Sequence, residues 1–358
     1  MKILEITEFS AGICGVWARV LAESKELSKL GHKVFVFSSN RMQGSDDLAK
    51  CEDNINGIRI KRFKSKQGKF ITRNVTLFNF DKEINELKPD MIITHTLHPH
   101  SFRALKYAET NNIPIYLVPH APFNVKRNFL LSIIKTFYDI LKIRSKIKQF
   151  TKVIAITRWE LPHLLRLGVK REKIAYIPNG LPNEFFKQKK VSPKKDILFL
   201  GRITPIKDIG TLINAAKLLP ALSFTIVGSK EKGYLDNLEI PQNIRILGPV
   251  YNLQKKIRLI DEHKIFVLPS RREAMPQVLL EAMARGKVVI SSNTDGGREI
   301  IQNGNTGFLF EIGDYKQLAK LIRENISGNK KIQLNAIKES KKYSWDKLIK
   351  IYSSLFKK

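Results

Sequence analysis

The stretch Lys2-Ile-Leu-Glu-Ile-Thr-Glu-Phe-Ser-Ala-Gly-Ile-Cys-Gly-Val-Trp-Ala-Arg-Val-Leu-Ala-Glu-Ser-Lys-Glu-Leu-Ser-Lys-Leu-Gly-His-Lys-Val-Phe-Val-Phe37 decides the fold. Residues 2–7 read as a short, mostly buried strand. A glycine-bearing loop, 10–15, follows. Apolar residues at helical spacing then run from Trp17 to Leu30, and Gly31 stops the helix at its C′ position. Residues 34–37 are the next strand. Strand, glycine loop, helix, strand is the βαβ unit of a parallel sheet.

The same alternation extends outward. Strands are expected at 91–94, 115–118 and 152–156, with helices at 101–110 and 158–167. The segment Ile174-Ala-Tyr-Ile-Pro-Asn-Gly180 closes the first set on an Asn-Gly turn. Residues 182–195 are polar and lysine-rich, and read as a connector. The alternation then restarts, with strands at 196–200, 223–227, 243–247, 265–268 and 288–290 and helices at 210–219 and 276–285. The fold class is therefore α/β, with two doubly wound, Rossmann-like domains in tandem. Residues 1–180 form the first and 181–342 the second. The tail 343–358 carries Trp345, Leu348, Ile351, Tyr352 and Leu355 on one helical side and is expected to pack back on the first domain. In such sheets ligands bind at the strand C-termini, and two facing edges make a cleft.

A chain of 358 residues is comfortable for two domains, and 43% hydrophobic with 27% charged residues is a folding composition. Cys14 and Cys51 cannot make a disulfide framework, and no Cys/His cluster has zinc spacing, so a reducing compartment is expected. Glu5 and Glu8 argue against a secretory signal. The densest apolar run, 129–134, is too short to span a bilayer, so the protein is expected to be soluble or peripheral. The net charge of +30 concentrates anions such as nucleic acid, anionic lipid or phosphorylated small molecules, or it is spread over solvated faces.

The segment richest in chemistry is Ser270-Arg-Arg-Glu-Ala-Met-Pro-Gln-Val-Leu-Leu-Glu-Ala-Met-Ala-Arg-Gly286. Glu273 falls just past a strand end and Glu281 one to two turns into the following helix. The unpaired N–H groups at that helix start suit phosphate oxygens. One carboxylate can accept from sugar hydroxyls, the other from a vicinal diol such as a ribose. On spacing alone, Glu273 equally serves as an N-terminal helix charge and Glu281 as part of a solvated face.

This segment resembles the Glu-x7-Glu signature of the retaining family-4 glycosyltransferases of GT-B architecture. The resemblance extends along most of the chain. Gly201-Arg-Ile-Thr-Pro-Ile-Lys-Asp208 is similar to that family's Gly-Arg-x-x-x-x-Lys-Gly loop. Ile177-Pro-Asn-Gly180 is similar to its entry into the second domain. Residues 294–301 and 303–310 resemble its closing loop and hairpin, and Ala11-Gly12 its first-loop Gly-Gly. The resemblance implies that Arg202 and Lys207 clamp the donor diphosphate, whose negative charge grows as the glycosidic bond breaks. Glu273 would contact the sugar, and Glu281 the ribose. Met275, Gln277 and Val278 would line the donor site between them. Gly12 would let the backbone approach phosphate or acceptor, and His120 would match the family's active-site histidine. Departures are Ala11, Asp208, and Ala274-Met275 in place of Gly-Phe. In addition, Pro276 lacks an N–H to offer a ligand. Cys14 lacks a basic partner in the sequence and reads as a small apolar residue. With no Asp-x-Asp in the chain, fixed cations replace a divalent ion, so the transfer is expected to need no metal and no cofactor beyond the nucleoside-diphosphate sugar, its donor substrate.

On the acceptor side, 59–73 is basic without an acid, and 126–148 reads as a basic amphipathic helix suited to an anionic membrane surface. Each cation there is worth about 1 kcal/mol. The same stripe can instead be packed in the first domain. A lipid-linked glycan acceptor at the cytoplasmic membrane face fits the first option, a soluble acceptor the second. Nucleic acid is not expected as a partner, because no helix-turn-helix, zinc finger or stacking-aromatic motif appears.

Overall fold

A computed structural model describes residues 1–12, 14–43, 47–70, 73–121, 143–187, 192–236 and 238–356. The chain divides into two compact units. One is Met1–Asn179 together with Leu348–Lys358, the other Gly180–Lys347.

The first unit is built on a sheet of eight strands: β1 (Lys2–Phe9), β2 (Lys33–Ser39), β3 (Glu52–Ile55), β4 (Ile58–Phe63), β7 (Met91–His95), β8 (Ile115–Val118), β9 (Lys152–Ala155) and β10 (Ile174–Tyr176). Their spatial order is β10-β9-β8-β7-β1-β2-β4-β3, and every pair is parallel except β3 with β4. A separate antiparallel pair, β5 (Ser65–Phe70) and β6 (Arg73–Phe78), follows β4. Ile3, Leu4 and Ile6 of β1 are all buried, so the strand is covered on both faces. That is the pattern of a parallel strand covered by helices on each side. One cluster, including Leu4, Ile6, Phe37, Phe80, Ile92, Leu105, Leu117 and Phe150, forms the core.

The second unit carries β11 (Lys195–Leu200), β12 (Phe224–Val227), β13 (Ile244–Leu247), β14 (His263–Leu268), β15 (Val288–Ser292) and β16 (Phe308–Phe310). All pairs are parallel, in the order β13-β12-β11-β14-β15-β16. Counted from β11, this is the 3-2-1-4-5-6 order of a doubly wound sheet. Its switch point, where ligands bind, lies beyond the C-termini of β11 and β14. In the first unit the corresponding reversal lies between β1 and β7.

Three expectations change. Residues 303–310 close the second sheet as a parallel strand, β16 on β15, not as a hairpin, and the helix Asp295–Ile300 precedes them. The basic stretch 59–73 is not a uniform surface patch. Arg62 is buried, and donates to Ser10 Oγ, Ser10 O, Lys50 O and Asp53. A guanidinium with five donors is well suited to tie a loop to a sheet from inside. The proposed basic amphipathic helix lies mostly outside the described residues, which resume at 143 with the short helix Arg144–Ile147.

Candidate active site

At the switch point of the second unit, Gly201 follows β11 and Pro269-Ser270 follows β14. A Cβ built on Gly228 would lie 1.7 Å from Gly201 O, so the turns after β11 and β12 close up only around a glycine. This seats the loop carrying Arg202 and Lys207. Lys207 ends a 3-10 turn, Pro205–Lys207, and Asp208 after it has φ +48°. That left-handed backbone is where family-4 enzymes have glycine, and Asp is among the few other residues that adopt it readily. Arg271 Nε lies 3.1 Å from Asp208 Oδ2 and ties the two loops together.

Glu273 leaves β14 three residues past Ser270. Its Oε1 accepts from Lys207 Nζ at 2.5 Å and from Ser270 Oγ at 2.6 Å. The residues expected to contact the sugar and to clamp the diphosphate are thus one ion pair. The turn holding Glu273 rests on Gly296, whose N–H donates to Glu273 O at 3.2 Å. A Cβ there would sit 2.7 Å from Ala274 O. Arg202, half-buried on the same loop, makes no ion pair or hydrogen bond among the described residues. A fixed cation so placed suits a phosphate.

Met275 is buried, Gln277 and Val278 open the helix Gln277–Ala284, and Gln277 Nε2 donates to Gly180 O at 3.5 Å. Glu281, one turn on, is buried rather than on a solvated face. Its Oε1 accepts from Lys256 Nζ at 2.5 Å, and its Oε2 is buried without a hydrogen-bond partner among the described residues. A buried carboxylate oxygen lacking a donor is costly. A diol hydroxyl would satisfy it.

In the first unit, His120 follows β8. His120 and Ala121 both have positive φ, +57° and +50°. This is uncommon for residues with a Cβ and tends to mark functional turns. Glu160 holds the turn by accepting from Ala121 N at 2.5 Å, Ile156 N at 2.7 Å and Thr157 N at 3.1 Å. Burial pushes its carboxyl up to about 7. His120 Nε2 lies 3.0 Å from His95 Nδ1, and His95 Nε2 lies 2.9 Å from Glu5 Oε2. Glu5 Oε1 accepts from Ser24 Oγ at 2.8 Å. Burial raises Glu5 to about 8 and Glu23 to about 7, lowers His95 to about 4, and lowers His120 well below the usual range. Polar side-chain atoms of Glu5, Glu23 and His95 lie within 4.8 Å of one another. The positive charge facing them is Arg19, whose Nε donates to Glu23 at 3.1 Å and whose other nitrogens reach Ile177 O, Asn179 Oδ1 and Tyr352 OH.

Gly12 has φ +82°, and a Cβ there would lie 2.3 Å from Gln43 O. Its own chain, crossing at Gln43, already requires the glycine. Cys14 caps the helix Gly15–Lys29, its sulfur accepting from Trp17 N. Within the second unit, Lys207 and Glu273 are brought into contact. Glu281 bonds instead to Lys256, a residue without a local sequence signal. Glu5, His95, Glu160, Gly228 and Gly296 are likewise not singled out as site residues by the sequence reading. Of these, Glu160 has a legible signal, the Thr-x-x-Glu capping box at Thr157.

Residues 13–185 match the family model Glycosyltransferase Family 4, and residues 182–343 match Glycosyl transferases group 1. The capsular polysaccharide biosynthesis glycosyltransferase CapM of Staphylococcus aureus is 28% identical over 267 residues, 64% of this chain and 70% of that protein. The UDP-Gal:alpha-D-GlcNAc-diphosphoundecaprenol alpha-1,3-galactosyltransferase of Escherichia coli is 31% identical over 172 residues, 41% of this chain and 44% of that protein. The chain thus spans less than half the length of that relative. Among solved structures, sucrose-phosphate synthase from Thermosynechococcus elongatus superposes with a TM-score of 0.78 at 16% identity, covering 99% of this chain and 98% of that one. HepE of Anabaena, in complex with UDP and glucose, gives 0.74 at 16% identity, covering 100% of each.

Proposed function

Since the chain belongs to the GT-B glycosyltransferases of the family-4 type, with one family model on each half, we propose that it transfers a hexose from a nucleoside-diphosphate sugar to an acceptor hydroxyl, with retention and without a metal ion. The observation that carries this is the Lys207–Glu273 pair at the switch point of the second sheet. It puts the cation for a leaving diphosphate and the carboxylate for a sugar in one place. Arg202 adds a second cation, and the open Oε2 of Glu281 takes the ribose.

In this reading the bond from the anomeric carbon to the diphosphate breaks as the bond to the acceptor oxygen forms on the same face. The acceptor's proton passes to a phosphate oxygen of the leaving group. Arg202 and Lys207 stabilise that leaving charge. Glu273 orients the hexose and is not a covalent nucleophile. His120 offers a hydrogen bond to a substrate hydroxyl.

The acceptor is a lipid-linked glycan in the synthesis of a cell-surface polysaccharide, met at the cytoplasmic face of the membrane. The names of the CapM protein and the diphosphoundecaprenol galactosyltransferase support this, as does a net charge of +30, which favours an anionic leaflet. Among the described residues no helix is long and apolar enough to cross a membrane.

The test is a thermal-shift screen against UDP, GDP, ADP and their hexose conjugates, with and without EDTA. A ligand that binds only the folded state raises the melting temperature. A shift with one nucleotide that survives EDTA is expected. A shift abolished by EDTA would overturn the metal-free reading, and no shift with any of them would overturn the nucleotide-sugar donor.

A further inference from the structure

Three buried groups, Ser24, Glu5 and His95, and the half-buried His120 lie in line through the first unit. The contacts are Ser24 Oγ to Glu5 Oε1 at 2.8 Å, Glu5 Oε2 to His95 Nε2 at 2.9 Å, and His95 Nδ1 to His120 Nε2 at 3.0 Å. Glu5 is on β1, His95 ends β7 and His120 follows β8, so the line crosses three adjacent strands at the point where the sheet order reverses. Glu5 and His95 are inaccessible to solvent.

Proton counting fixes the direction of each bond. Ser24 donates to Oε1, so only Oε2 of Glu5 meets the imidazole. A neutral imidazole carries one proton. If Glu5 is ionised, His95 must donate from Nε2. Its Nδ1 is then an acceptor, His120 must donate from Nε2, and His120 Nδ1 is left as a lone pair. If Glu5 is protonated, every bond reverses. Glu5 donates to His95 Nε2, His95 donates from Nδ1 to His120 Nε2, and His120 Nδ1 carries the hydrogen. Among the described residues, Nδ1 of His120 makes no hydrogen bond.

We propose that Glu5 and His95 are positioning residues that set the tautomer of His120, so that the single proton on Glu5 decides whether His120 Nδ1 offers a substrate hydroxyl a donor or an acceptor. The link to sugar transfer rests on the function proposed above. The tautomer relay does not. The groups facing Glu5 are Ser24, Arg19 and Glu23 from the helix Gly15–Lys29, His95 from β7, and Tyr352 beyond Arg19 from the helix Trp345–Phe356. Arg19 Nε pairs with Glu23 Oε2 at 3.1 Å, and its charge acts on Glu5 as well. Burial raises Glu5 to about 8, so the donor form of His120 is the one present at neutral pH. Glu5 and Glu23 share one guanidinium, and their protons leave in steps that belong to the pair.

The experiment is long-range proton–nitrogen correlation spectroscopy of the histidine side chains from about pH 6 to about pH 9, a span that brackets an ordinary imidazole pKa. It is run on the wild-type full chain and on Glu5→Gln. The glutamine amide donates to His95 at every pH, so it mimics protonated Glu5. In the wild type, the His120 proton is expected on Nδ1 at the acid end and on Nε2 at the alkaline end. In Glu5→Gln it should stay on Nδ1 throughout. A wild-type proton that stays on one nitrogen across the range overturns the relay, and this measurement needs no variant to fold. A proton that still moves in Glu5→Gln overturns it too. In transfer assays, the wild-type kcat should fall roughly three- to tenfold as Glu5 ionises, the worth of about one hydrogen bond, while Glu5→Gln stays flat. If the tautomer moves but no donor sugar is turned over, the relay stands and the transferase reading falls.

Discussion

Lys256 Nζ lies 2.5 Å from Glu281 Oε1, while Glu281 Oε2 is buried with no partner among the described residues. One oxygen of the carboxylate is neutralised from a separate helix, Leu253–Asp261, and the other is left for a ligand. Glu281→Ala should weaken nucleoside-diphosphate binding about tenfold to a hundredfold, because a hydrogen bond to a charged group is worth about 1.5–3 kcal/mol. Calorimetric titration checks this. Unchanged affinity would remove Glu281 from the ribose contact. Lys256→Met should lower stability by about 1–3 kcal/mol in denaturant unfolding, since it strands a buried carboxylate.

Lys207→Ala removes the partner of Glu273 and, in the proposed function, the cation facing the diphosphate. Loss of one such electrostatic contact to developing charge costs about a hundredfold to a thousandfold in kcat. The fold should be untouched, because Lys207 ends a partly exposed turn. An assay with radiolabelled donor and a far-ultraviolet spectrum separate the two effects, and an active Lys207→Ala enzyme would dismiss the clamp.

Gly228→Ala puts a methyl 1.7 Å from Gly201 O, and Gly296→Ala puts one 2.7 Å from Ala274 O. Backbone cannot yield as a flexible side chain can. Each should destabilise by about 1–3 kcal/mol or more. Gly228→Ala should also shift the Arg202–Lys207 loop and raise the KM for the donor. Equal KM and melting temperature in Gly228→Ala would contradict the closeness of these turns.

Above about pH 7 the histidines are mostly neutral whether the chain is folded or not, so the raised carboxyls dominate. Unfolded, Glu5, Glu23 and Glu160 release their protons near 4.5. Folded, they hold them to about 8, about 7 and about 7. Between about pH 7 and 8 the folded state therefore binds more protons than the unfolded one, and stability falls as pH rises. The melting temperature should drop across that window, and less steeply in Glu5→Gln. A wild-type melting temperature that rises there would show that Glu5 is ionised at neutral pH.

The two sheets were legible because parallel strands buried on both faces read as apolar runs, and Gly31, Gly168 and Gly286 mark the helix ends. Lys207 and Glu273 were singled out through the family resemblance, and the fold brings the two into contact. Lys256, His95 and Glu5 were not. Each reaches its partner from another strand or helix, and nothing local in the sequence encodes a contact 25 or 90 residues away. The strands Glu52–Ile55 and Ile58–Phe63 were missed because charged residues interrupt them at a sheet edge. The inward turn of Arg62 was hidden for the same reason: a lysine- and arginine-rich run looks alike whether it faces solvent or spans a loop.

Arg19 donates to Tyr352 OH at 3.2 Å, 333 residues further along the chain. A ribosome adds about 5–20 residues per second. Roughly half a minute of elongation therefore separates the two partners, and the whole second unit emerges in between. The first unit, though begun first, is completed last. Until Tyr352 arrives, the Arg19 guanidinium lacks the hydroxyl it holds in the finished fold, so a prematurely terminated chain would carry a complete second unit and an incomplete first one.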